Sequence, residues 1–269
     1  MKTLWETNKP LTAVGLLMLP VFILSLLGMV FDQRLLLGAP VWLKPTKFAI
    51  SVTLYSLMLA WIFRFLPEWR RVRSITGWLT ALTMVVEIVI IVGQAVRGTT
   101  SHFNTGTPID TALLSIMGVA ILIAWCASLA IAVALFRQQF RDRVMGWALR
   151  LGMLITVVGS ATGGLMVTPT NAQLAAARVT HSLPVAGAHT VGGPDGGPGI
   201  PFTGWNREHG DLRVPHFFGL HAMQILPLLA WLLKPNRPSL MVGLAAVYAV
   251  VYLALLAQAM AGIPFLGGS

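Results

Sequence analysis

The chain has 269 residues, 56% of them hydrophobic and only 10% charged, with a mean hydropathy of +0.76. A soluble domain carries about 25% charged residues, so the composition excludes that class and points to an all-α, polytopic integral membrane protein whose first partner is the lipid bilayer. A net charge of +10 suggests nucleic acid in a soluble protein, but no basic stretch here is interleaved with base-stacking aromatics, so no nucleic-acid partner is expected.

Seven apolar runs reach the roughly 20 residues needed to span a bilayer core. Lys2 and Lys9 precede the first, residues 11–31. That run is longer than a signal-peptide core of about 7–15 residues and reads as an uncleaved anchor. A loop with Asp32, Arg34 and Lys44 leads to the second span, 47–65, where Lys47, Ser51 and Tyr55 share one helix face. Such a polar stripe belongs against the bundle rather than lipid. A short basic loop (Arg64, Arg70, Arg71, Arg73) leads to the third span, 75–96. Glu87 lies near its middle, with Gln94 two turns on and on the same face.

After Arg97, His102 and Asn104, the run Thr107-Pro108-Ile109-Asp110 reads as a helix start, with a cap, a first-turn proline and an early acid. The fourth span, 111–136, holds Cys126, the single cysteine, so intrachain disulfides and c-type haem attachment are excluded. In the fifth, 147–167, Gly159 and Gly163 predict a tight helix–helix crossing. The connection 168–214 is long and rich in glycine and proline. A short surface helix is expected at 171–178 and no regular element after it; loops of this length are usually functional lids or disordered. The sixth and seventh spans are 215–233 and 239–262. The whole chain, 1–269, is thus read as one seven-helix domain. Trp42, Trp69, Trp78, Trp147 and Trp205 fall near predicted interfaces, as an aromatic belt would place them.

Twelve of the 19 Lys and Arg lie in the N-terminal segment and the second, fourth and sixth loops. The positive-inside rule then predicts a cytoplasmic N-terminus and an outer C-terminus, in a bacterial cytoplasmic (inner) membrane. All six histidines fall toward the opposite, outward end, facing the periplasm or exterior. The densest stretch, 210–224, carries Asp211, Arg213, His216, His221 and Gln224 at the mouth of an apolar helix.

The site expected here is a composite cup. Glu87, Asp211 and His216 are its candidate catalytic groups. Lys44, Lys47, Arg97, Asn104, Asp110, Arg213 and Gln224 are its candidate ligand-binding groups, with the cations forming a cradle for an anion. His102, His216 and His221 are candidate metal or haem ligands, haem b or a transition metal being the cofactors considered. A span-depth acid such as Glu87 is functional by default. His181, His189 and His209 lie in the long loop and read as exposed. There is no GxSxG elbow, HExxH or P-loop. The last span has neither the histidine pair of the ceramidase and adiponectin-receptor hydrolases nor the lysine of a retinal protein. The expectation is a cofactor- or metal-binding protein with redox or other enzymatic activity. The alternatives are a proton-coupled transporter of a small anion and a membrane sensor or assembly factor.

Overall fold

A computed structural model describes residues 2–267. A short helix α1 (Lys2–Thr7) is followed by α2 (Lys9–Phe31), and the break between them is made by Asn8. The Asn8 side chain accepts from the Leu11 amide, capping α2, while its Nδ2 donates to the Arg73 carbonyl. The chain then forms a two-residue hairpin, β1 (Leu35–Leu36) with β2 (Ala39–Pro40). It continues through α3 (Leu43–Ile62), a 3-10 turn Phe63–Phe65, α4 (Arg70–Arg97), α5 (Pro108–Arg137), α6 (Arg143–Met166) and α7 (Asn171–Thr180). Two further strands, β3 (Thr190–Val191) and β4 (Gly210–Asp211), precede α8 (Arg213–Leu233) and α9 (Pro238–Met260). Among the described residues, seven helices are long and apolar enough to cross a membrane: α2, α3, α4, α5, α6, α8 and α9. The protein is an all-α, seven-helix membrane protein.

The helix boundaries follow side-chain chemistry. Thr107 caps α5, accepting from the Asp110 amide, and Pro108 follows at the first helical position. Asp142 caps α6 through the Val144 and Met145 amides. Thr170 and Gln173 form a reciprocal capping box on α7. Gly98, at φ 71°, ends α4 in the left-handed conformation that glycine adopts without strain. Most helices begin two to five residues earlier than the apolar runs suggest, because capping and first-turn residues are polar. For α3 the extension matters: Lys44 and Lys47 both sit in its first two turns.

The core runs along the bundle axis, with Leu11, Met18, Leu59, Phe63, Ile131, Leu149 and Met153 fully buried. Large apolar side chains such as Leu24, Val89, Val133 and Val250 point outward, as a lipid-facing surface requires. The glycine-mediated crossing is where α6 meets α8. A methyl group added at Gly159 would overlap the Gly219 backbone, and Gly163 faces the His216 ring.

The long connection departs from expectation. Its helix α7 is present, but β3 pairs antiparallel with β4, Thr190 opposite Asp211 and Val191 opposite Gly210. A segment lying across the bundle end buries backbone N–H and C=O groups, and these must find partners. They do so in this short ladder, in the bond from the Ala188 amide to the Met166 carbonyl, and in the bond from the Leu212 amide to the His189 carbonyl.

Candidate functional site

Three acid–cation clamps organise the bundle end that carries the long connection. Asp32, between α2 and β1, is gripped by Arg34, which also donates to the Val96 carbonyl at the top of α4. Hydrogen bonds from Arg34 and then Trp42 hold this carboxyl well below the usual carboxylate range. Asp110, in the first turn of α5, accepts from Gln94 Nε2 (2.8 Å), Arg97 (2.8 Å) and the Thr107 hydroxyl (2.6 Å), tying α4 to α5. Asp211 has no exposed side-chain surface. It accepts Arg213 in a two-pronged contact (2.9 and 2.6 Å) and also the Asn206 and Arg213 amides.

Arg213 reaches further: its NH2 donates to the Gly204 carbonyl at 2.6 Å. Next to it, Lys47 Nζ donates to the Thr203 carbonyl at 2.9 Å. Gly204 has φ 67°, and a Cβ placed there would lie 3.9 Å from Lys47 Nζ and 4.0 Å from Arg213 NH1, the atoms outside its own chain neighbours that come within 4 Å. The missing side chain leaves a niche whose two walls are a lysine and an arginine. Lys44, one turn before Lys47, is close enough to interact electrostatically with Lys47, Glu87 and Arg213. Its Nζ lies 5.9 Å from the centre of the Phe48 ring. Glu87 is 1% exposed, and neither carboxyl oxygen has a hydrogen-bond partner among the described residues.

Beside these cations runs a row of rings. Phe48 packs on His102 (5.8 Å), His102 on Phe103, and Phe103 edge-on to His189 (4.8 Å). His189 Nδ1 lies 3.3 Å from Asp195, whose carboxylate also accepts the His189 and Thr190 amides. Burial raises the Asp195 carboxyl, but the His189 and Thr190 hydrogen bonds outweigh it and keep the group below the carboxylate range. Burial pulls the His189 imidazole below its ordinary value against the opposing pull of Asp195. Burial, with Lys44 and His189 nearby, drives His102 well below its own. At neutral pH both rings are therefore uncharged, beside an ionised Asp195.

No family model, curated protein or solved structure matches the chain.

Of the residues singled out in the sequence, the fold brings Lys44, Lys47, Arg213, Asp211, His102 and Glu87 into one neighbourhood. Arg97, Asp110 and Asn104 form a separate brace at the α4–α5 turn. There Asn104 donates to Thr99 and Thr100 and accepts the Gly106 amide. His216 turns toward α6, its Nδ1 3.1 Å from the Gly159 carbonyl. Only the ring can donate in that bond, which fixes the proton on Nδ1. His221 lies on the other side of α8, its ring packed at a tilt against Phe217 with centroids 4.3 Å apart. Gln224, oriented to donate, reaches the Leu220 and His221 carbonyls of its own helix. Among the described residues no group of three or more His, Cys, Asp or Glu is placed to hold a metal ion.

Two members of the cluster escaped the sequence reading. His189, expected to be exposed, is packed on Phe103 and paired with Asp195. The readable signal was Asp195 itself, an acid between two Gly-Gly pairs, where a carboxylate can turn back onto preceding amides. The second is Gly204, whose importance is the side chain it lacks.

Proposed function

We propose that the loop-covered end of the bundle is an enzymatic site that binds a small anionic ligand and performs acid–base chemistry on it. The observation that carries this reading is the niche over Gly204, walled by Lys47 Nζ and Arg213 NH1. An anion seated there receives charge-assisted hydrogen bonds from both cations, with Lys44 adding attraction from one turn away. Asp211 is the brace that aims Arg213. The His189–Asp195 pair supplies an imidazole oriented by a carboxylate, the arrangement a general base uses. Glu87, beneath Lys44, is a buried carboxyl able to hold or release a proton. His216 and His221 face different neighbours, so metal and haem ligation form no part of this reading. The proposed setting is a bacterial cytoplasmic membrane with this end outward, on the lysine and arginine bias.

A second reading, a proton-coupled carrier of the same anion, is favoured by the polar face of α4. Thr76, Thr80, Thr83, Glu87 and Gln94 recur along it, and the Thr80 hydroxyl and Glu87 carboxyl oxygens lack hydrogen-bond partners among the described residues. Calorimetric titration of the purified protein with phosphate, sulfate and acetate tests the common core. Lys47→Gln is expected to weaken binding of whichever anion binds by about tenfold or more, since a hydrogen bond to a charged group contributes about 1.5–3 kcal/mol. Unchanged affinity overturns the niche. Lys47 is the residue to alter because neutralising Arg213 would strand the buried Asp211. Anion uptake into vesicles driven by a proton gradient, lost in Glu87→Gln, would decide for the carrier; turnover without uptake would decide for the enzyme.

A further inference from the structure

The opposite end of the bundle carries a second feature, independent of the site above. Where α1 turns into α2 beside the start of α4, an open cleft of about 290 Å³ is lined by Asn8, Lys9, Arg70, Arg73, Ser74 and Trp78. A water's share of liquid volume is about 30 Å³, so the cleft has room for a polar group much larger than one water.

Its charge is unbalanced. The ion pairs among the described residues are Asp32–Arg34, Arg97–Asp110 and Asp211–Arg213, and neither these nor the His189–Asp195 contact reaches this cleft. Glu6, exposed at the rim, is the one acid in the lining against Lys9, Arg70 and Arg73. The Arg73 guanidinium has five N–H donors. Among the described residues it makes one hydrogen bond, to the Phe63 carbonyl, and its buried Nε has no acceptor. Among the described residues no side chain caps the first turn of α4, so its free amides add positive potential at the same place. The cleft is also built rather than incidental: Asn8 fills the space over Gly77 and bonds the Arg73 carbonyl, fixing α1–α2 against α4.

Its position says what kind of anion. The cleft opens at the ends of two bilayer-spanning helices, and Trp78, 64% exposed, stands at its edge with Trp5 on α1 also exposed. Tryptophan at that depth marks the headgroup level. We propose that the cleft is a binding site for the phosphodiester headgroup of an anionic phospholipid. Lys9, Arg70 and Arg73 hold the phosphate oxygens, and the acyl chains run down the lipid-facing sides of α2 and α4.

The test is native mass spectrometry of the delipidated full-length protein in mild detergent, with phosphatidylglycerol or phosphatidylcholine added at equal ratios. One phosphatidylglycerol is expected to be retained in preference to phosphatidylcholine. Lys9→Ala/Arg70→Ala, both exposed positions that folding tolerates, should weaken retention by about tenfold, as should Arg73→Gln. Arg137→Ala/Arg141→Ala, basic residues at the same end but outside the cleft, should leave it unchanged. Equal retention of both lipids, or equal loss in the Arg137/Arg141 control, overturns the site. Binding of inorganic phosphate that Lys9→Ala/Arg70→Ala abolishes, without phosphatidylglycerol retention, would overturn the lipid assignment and leave a site for a free anion.

Discussion

His102 and His189 show how burial sets a pH response, for His189 even against a neighbouring carboxylate. Both imidazoles are held below their ordinary value of 6.5, first by burial and, for His102, then by Lys44 and His189. Stability rises with pH wherever the unfolded chain binds more protons than the folded one. Below pH 6.5 the unfolded chain protonates these rings while the folded chain resists, so stability declines as the pH falls. For His102 alone the slope approaches about 1.4 kcal/mol per pH unit. Asp195 works in another window. Its carboxyl is depressed in the folded state, so its contribution is complete above the ordinary value of 3.8 and is lost only as the pH drops through its lower folded value. The charged groups facing these rings are Lys44, Arg213 and Asp195. Thermal melts in detergent are expected to show a lower midpoint at pH 5.5 than at 7.5, and His102→Gln should flatten that difference. A pH-independent midpoint in the parent protein would show that these rings do not titrate on unfolding as argued.

At the scale of elements, the α6–α8 crossing depends on two glycines meeting backbone to backbone. Gly159→Val inserts three carbons where the Gly219 backbone already lies, and it also moves the carbonyl that holds His216. Overpacking of this kind destabilises by about 1–3 kcal/mol, and the helices must separate to relieve it. Gly164, with nothing within 4 Å of an added Cβ, is the control. Gly159→Val should melt several degrees below the parent and Gly164→Val close to it; equal melts would mean that the crossing is looser than described. The same pair shows what was legible in sequence. The seven spans and the small-residue contact follow from apolar length and spacing, which are local properties. The hairpin of β1 and β2 and the ladder of β3 and β4 were not legible. They exist because backbone lying across the bundle end must satisfy its own hydrogen bonds, and that need appears only once the helices are assembled. The site divides likewise. Lys44, Lys47, Glu87 and Arg213 stand out as charges in or beside apolar runs, whereas His189, Asp195 and Gly204 matter through contacts that the loop makes on closing.

For the molecule as a whole, the two ends handle charge in opposite ways. One end gathers twelve of the 19 basic residues with three of the nine acids (Glu6, Glu68 and Asp142). The other holds seven basic residues, and the three carboxylate–arginine ion pairs among the described residues lie there. A cation near an anionic leaflet gains about 1 kcal/mol, so an excess of this size favours keeping the first end on the leaflet richer in anionic lipid. Neutralisation at the far end removes any comparable pull there. The expected orientation therefore has the α3–α4 turn in the cytoplasm and α7 outside. Cys126 is first replaced by alanine, so that a single introduced cysteine reports. Val179→Cys on α7, 81% exposed in the parent, should react with a membrane-impermeant maleimide in intact cells. Glu68→Cys, in the α3–α4 turn, should react only after permeabilisation. The reverse labelling pattern would place the Lys47–Arg213 niche in the cytoplasm, and the anion it binds would then have to be a cytoplasmic solute.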